Sequence, residues 1–168
     1  MPIVSTDIKY RLSGGAANSN ANASLGGAKS TTEMGTGLHN LFDIVGDDET
    51  TAGDTEYRCI YIHNSHATLT MQNTRVWLSS NTPSGDTLAE IGLGTAAING
   101  TEQTIADEST APTGVTFSTA ASEGAALTIG DIPPGQHKAV WVKRVVAEGA
   151  AAYNDDQAAI SVKCATAA

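Results

Sequence analysis

Between Ser13 and Gly37 the chain carries 21 Gly, Ala, Asn, Ser or Thr residues in 25, with Leu25 and Met34 its only sizeable apolar side chains. Ordering the backbone of one residue costs about 1–2 kcal/mol. Side chains this small bury too little apolar surface to offset that cost. The stretch cannot build a core of its own. It is expected to form an extended N-terminal arm that takes a fixed path only against a neighbouring chain or domain, with Leu25 and Met34 as anchors. A segment of this kind points to assembly rather than to catalysis.

The remaining length suits one domain. A chain of 168 residues buries about 70% of its unfolded surface when it folds as a single unit. Gly is frequent, at 17 residues against five Pro, but without the period of collagen or the Pro density of a rigid linker. Nine Lys and Arg face 18 Asp and Glu, a net charge of −9, and only Lys143 and Arg144 are adjacent. That balance excludes a phosphate-binding surface for nucleic acid. No apolar run reaches the ~20 residues of a membrane span. Met1-Pro2-Ile3-Val4 lacks the basic and apolar regions of a secretory signal, so synthesis in the cytoplasm without export is expected. Cys59 and Cys164 make neither a disulfide framework nor a zinc site. Each lies in an apparent strand and reads as a small buried hydrophobe; a bond between them would depend on geometry.

Alternation marks the strands. Ile8, Tyr10 and Leu12 alternate with Asp7, Lys9 and Arg11, which places three apolar side chains on one face. Tyr57 to Asn64 is rich in aromatic and β-branched residues. It is followed by a polar turn and by Thr68 to Ser79, so the two read as a hairpin. Leu88 to Leu93, Thr104 to Ala106, Val115 to Ser118 and Ala125 to Ile129 are shorter runs. Pro134-Gly135 suits a type II turn leading into the strand His137 to Val146. Ala158, Ile160, Val162 and Cys164 alternate through a final strand. Leu38, Leu41, Phe42 and Val45 have the spacing of one or two helical turns ended by Gly46, or of an irregular anchor. Seven to nine short strands with regular turn signals predict an all-β fold, an Ig-like antiparallel β-sandwich, with a barrel as the alternative. The expected organisation is a strand over 1–12, the arm over 13–37 and the sandwich over 38–168.

Reaction chemistry is hard to find in this text. His63 and His66 lie three apart across a turn, but without further ligands they read as solvated histidines. Asp47-Asp48-Glu49, Asp107-Glu108 and Asp155-Asp156 read as solvated acidic turns and match no calcium loop. No nucleophile elbow or phosphate loop is present. No catalytic residue, metal or cofactor is therefore assigned. Trp77 and Trp141 fall on the strand faces opposite Val76/Leu78 and Val140/Val142. Open to solvent, two indoles would make a sugar-binding platform; covered, they are packing anchors, the reading favoured here. Trp141 beside Lys143 and Arg144 would suit contact with an acidic neighbour.

Several stretches together carry a family likeness. Ile8-Lys9-Tyr10-Arg11-Leu12-Ser13-Gly14-Gly15-Ala16, Leu25-Gly26-Gly27-Ala28, Asn40-Leu41-Phe42-Asp43 and Gly53-Asp54-Thr55-Glu56-Tyr57-Arg58-Cys59 are similar to segments of small tailed-bacteriophage structural proteins. The likeness runs on through Asn99-Gly100-Thr101, Thr110 to Phe117 and Pro134-Gly135 to Lys143-Arg144. The resemblance implies a non-enzymatic virion component and carries over no catalytic residues. The role expected from it is head decoration, a cement protein bridging capsid subunits, with a neck, collar or tail position as the alternative. A carbohydrate-binding module for host recognition is the rival from another class. Expected partners are capsid or neck proteins and further copies of the chain in a homo-oligomer or large symmetric assembly, with no nucleic acid and no membrane. Leu25, Met34, Trp141, Lys143 and Arg144 are the expected contact residues.

Overall fold

Alternation of side chains along two long strands sets the architecture. In β3 (Asp54–Asn64) and β8 (His137–Val146), which pair antiparallel from Asp54 opposite Val146 to His63 opposite His137, both faces are apolar. Ile60, Ile62, Val140 and Val142 point one way; Cys59, Tyr61, Ala139 and Trp141 point the other. A strand apolar on both sides must be covered on both sides. The computed structural model, which describes residues 2–166, meets this demand with three layers.

The first sheet has the order β1 (Ile8–Leu12), β3, β8, β5 (Thr87–Leu93). Facing it is a sheet of β7 (Leu127–Ile132), β4 (Met71–Ser80) and β9 (Ala159–Ala165), with β4 central. Met71, Val76, Leu78 and Ile132 from this sheet meet Ile60, Ile62, Ile91, Val140 and Val142 in the main core. The expected hairpin of β3 with β4 is not formed. Each strand has its partners in a different sheet, and the polar turn between them crosses the sandwich.

The fold is an all-β sandwich. Its strand order differs from the immunoglobulin arrangement of ABED and CFG sheets. Counting the seven long strands in chain order, β7 and β8 have exchanged sheets relative to that scheme. The exchange occurs at Pro133-Pro134-Gly135-Gln136. There the Gln136 amide donates to the Pro133 carbonyl at 3.1 Å and Gly135 takes φ of +74°, as a type II turn requires.

The third layer is the segment expected as an extended arm against a neighbouring chain or domain. It lies on its own chain. Ser13, Ser24 and Ser30 are fully buried. Main-chain bonds extend β1 outward: the Ser30 amide donates to Leu12, the Leu12 amide to Thr32 and the Met34 amide to Tyr10, at 2.8–3.1 Å. Beyond the end of β1, the Cys59 amide donates to the Ser24 carbonyl at 2.7 Å. Gly26–Gly27 forms the two-residue strand β2, paired with β6 (Glu102–Thr104) over the outer face of the first sheet. Ordering here is offset by backbone hydrogen bonds and by sealing the second core, two terms that a count of apolar side chains does not include.

Leu38 to Val45 takes the second of its two expected forms, an irregular anchor rather than a helical turn, because His39 has a left-handed φ of +56°. Two expectations change. The short helix is α1 (Asp47–Ala52), which begins in the acidic run read as a turn. Val115 to Ser118 is a loop joined to the first sheet by a single bridge between Ser118 and Ile91. Cys59 and Cys164 are both free.

Candidate interaction surface

Of the five residues expected to make outside contacts, one is enclosed and the other four are partly buried against their own chain. Trp141 is fully buried in the second core with Cys59, Tyr61, Ala139 and Ile105. Leu25 packs on that core from above, and Met34 packs on the main one. Lys143 bonds Glu90 at 2.7 Å and lies 5.9 Å from the centre of the Phe117 ring. The Arg144 side chain is held by Glu56, Glu49 and Asp43. Trp77 remains half-buried on the second sheet, packed toward the main core. With Trp141 enclosed, no two-indole platform exists for a sugar.

Arg144 is the centre of a charged hub that sequence reasoning missed. Glu56, 1% exposed, and Arg58, 0% exposed, share the face of β3 that carries Ile60 and Ile62. Charges placed there need partners nearby. Arg144 Nε bonds Glu56 at 2.5 Å, Arg58 bonds Glu108 at 2.5 Å, and Arg58 lies 3.7 Å from Glu56. Burial raises the Glu56 carboxyl above its ordinary range, against the pull of Arg144 and Arg58. Glu49, Asp54 and Glu56 also converge, with carboxylate oxygens within 4.8 Å of one another, but Arg144 already serves Glu49 and Glu56. The signal was readable: two opposite charges alternating on an apolar strand face demand a third group.

The hub clamps the loop 35–46. Phe42 lies under both guanidinium groups, 5.3 Å from Arg58 and 5.0 Å from Arg144. Arg144 also donates to the Asp43 carbonyl at 2.6 Å, and Leu41 is buried. This fixed loop presents Leu38, 44% exposed, and Ile44, 69% exposed. Ile44 borders an open cleft of about 560 Å³ lined also by Asn20, Asn22, Glu33, His39 and Asp43.

Several titratable groups elsewhere are enclosed or bonded. Burial pushes the Cys59 thiol far up. It also pushes the Tyr61 phenol up to about 12. His63 is not a solvated turn residue. It faces His137 with ring centres 6.4 Å apart, and the Nδ1 of each is buried without a hydrogen-bond partner. Burial and the nearby charges of Lys29 and His63 push His137 down to about 4. His66 Nδ1 accepts the amides of Thr68 and Leu69 at 3.1 and 3.0 Å. The acidic turns are bonded too: Glu108 to Arg58, and Asp156 to the Ser84 amide and the Thr87 hydroxyl. This chain matches no protein-family model, no curated protein and no solved structure.

Proposed function

We propose that this chain is a non-enzymatic structural subunit of a tailed-bacteriophage virion, acting at the head as a decoration protein that binds and bridges capsid subunits. The observation that carries the reading is the clamped loop. Leu38 and Ile44 are exposed apolar side chains on a backbone fixed by Phe42, Arg58 and Arg144, and Ile44 borders an open cleft. Apolar side chains held rigidly at the surface, with a polar rim, are what a protein contact needs. The resemblance to phage structural proteins read along nearly the whole sequence is the expectation from which this reading starts.

The mechanism is avidity. A weak contact repeated over a symmetric shell becomes strong when each copy touches more than one neighbour. The segment 13–37 contributes by stiffening the surface around the cleft rather than by reaching out. Leu38→Glu and Ile44→Glu are expected to fold normally by circular dichroism and to be missing from purified particles. Incorporation of both variants at the wild-type copy number, or wild-type protein located at the neck or tail by electron microscopy, overturns the head-decoration reading.

A further inference from the structure

The outer face of the first sheet changes character along its length. Cys59, Tyr61, Ala139 and Trp141 make an apolar patch with Ile105 and Leu25. Next to it the face turns basic. His63 and His137 stand directly opposite each other in the register of β3 and β8, and Lys9 stands opposite His63 on the β1 side. Opposed residues share a face, so the three form a row across the sheet. The segment 13–37 adds Lys29, whose charge bears on both imidazoles, and Arg11 bears on His63 and on Lys29.

Glu33 is the counter-charge. It pairs with Lys9 at 3.2 Å and Arg11 at 3.4 Å, and at His63 it opposes the cations. Main-chain bonds to Gly135 and Gly100 favour the protonated forms of His63 and His137 in turn, and the Tyr61 ring lies 4.8 Å from that of His137. The balance still falls against protons. Burial first, and Lys29 next, hold both rings below the ordinary histidine range. Each ring keeps a buried Nδ1 without a partner.

A neutral imidazole tolerates an ammonium group beside it, whereas an imidazolium in the same buried place does not. Relief requires water, and the covering segment is the side that can yield. Leu25 and Met34 are its sizeable apolar anchors. Much of the rest is hydrogen bonding that water can replace: the Ser30 amide to Leu12 at 2.8 Å, the Cys59 amide to Ser24 at 2.7 Å and the Ile105 amide to Leu25 at 3.0 Å. Beneath it, β3 and β8 are the two central strands of their sheet and apolar on both faces.

We propose that the segment 13–37 is an acid-sensitive latch: when His63 and His137 take up protons, it lifts at Lys29 and bares the second core. The lifted state accepts histidine protons near pH 6.5, whereas closed His137 does so near 4. Acid therefore shifts the population toward the lifted state across that interval.

The latch stands apart from the virion reading, since its test involves neither Leu38 nor Ile44. Hydrogen exchange of the full chain at pH 7 and pH 5, corrected for intrinsic rates and repeated in low urea, reads the opening. At pH 5 the amides of Ser30, Cys59 and Ile105 are expected to lose protection about tenfold. They should respond little to urea, because a small surface opens. Amides of the central strand β4 should keep the steep urea dependence of global unfolding. His137→Gln should remove most of the acid response and Lys29→Met should reduce it, with circular dichroism confirming that both fold. Protection at the three amides that ignores pH, that follows urea as β4 does, or that responds to acid equally in Lys29→Met overturns the proposal.

Discussion

The hydroxyl of Tyr61 accepts the Glu102 amide at 2.9 Å and so fastens β6 to the outer face of the first sheet. The same hydroxyl donates to the Gly27 carbonyl at 2.6 Å, which ties β2 to the same point. Tyr61→Phe leaves a buried donor and acceptor unpaired, at a cost of about 1–3 kcal/mol. The midpoint of urea unfolding should fall accordingly, and hydrogen exchange at Gly26 and Gly27 should quicken. Unchanged stability would mean that the small sheet is held elsewhere.

Gly26 admits no side chain. It takes φ of +91°, and a Cβ there would stand 1.8 Å from the Gln103 carbonyl oxygen. Gly26→Ala therefore combines backbone strain with a clash against main chain, and the expected loss exceeds about 2 kcal/mol. Thermal unfolding measures it. Gly15→Ala is the comparison: its φ of +103° is also left-handed, but open space surrounds its Cβ position, so the loss is smaller.

Breaking the charged hub should cost more than breaking a half-exposed pair. Arg144→Ala strips its nearest cation from the buried Glu56 and releases the loop at Asp43, an expected loss of about 3 kcal/mol. Lys143→Ala removes the ion pair with Glu90, whose partners are 23% and 19% exposed, and should cost about 1 kcal/mol or less. Denaturant titration of both variants checks the order. Equal losses would contradict the hub.

Acid should weaken the fold through its buried histidines. An unfolded histidine takes a proton near pH 6.5, whereas His137 resists one down to about 4 because it is buried beside Lys29 and His63. His63 is pushed down as well, chiefly by burial, with Lys29 and Arg11 adding to it and Glu33 opposing. Between those values the unfolded chain binds more protons, so stability is full above about pH 6.5 and declines as pH falls toward 4. The loss amounts to roughly 2 kcal/mol after allowance for partial exposure. Urea midpoints from pH 7 to pH 5 read it, and His137→Gln should flatten the slope. A flat wild-type profile would refute it.

Much of the sandwich was legible because its strands alternate. Ile8 to Leu12 and His137 to Val146 appear as read, and Ile160, Val162 and Cys164 face the core as their period requires. Pairing was less legible, since nothing local in Tyr57–Asn64 says that its partner lies some 80 residues later in β8 rather than next door. The segment after Leu12 was misread for a physical reason. Much of its fastening runs through main-chain groups of Ser24, Gly27, Ser30 and Met34, and backbone bonds leave no trace in side-chain chemistry. Among contact residues, Trp141 was correctly separated from Val140 and Val142, but whether its face lay open depended on that cover. Leu38 and Ile44 are not legible as a surface, because the spacing of Leu38, Leu41, Phe42 and Val45 fits a helical turn and an irregular anchor alike, and the two forms expose different residues.

A stretch gripped by its peptide groups is indifferent to most of what its side chains are. Outside Gly14 and Gly26, whose Cβ positions are filled, the enclosed serines, the bonded Asn18, Asn20 and Thr31, and the packed Leu25 and Met34, substitutions between Ser13 and Gly37 can accumulate without moving the chain's path. Evolutionary drift would therefore erase the lettering of this layer long before its shape, and distant kin would share the covering ribbon while looking unrelated as text.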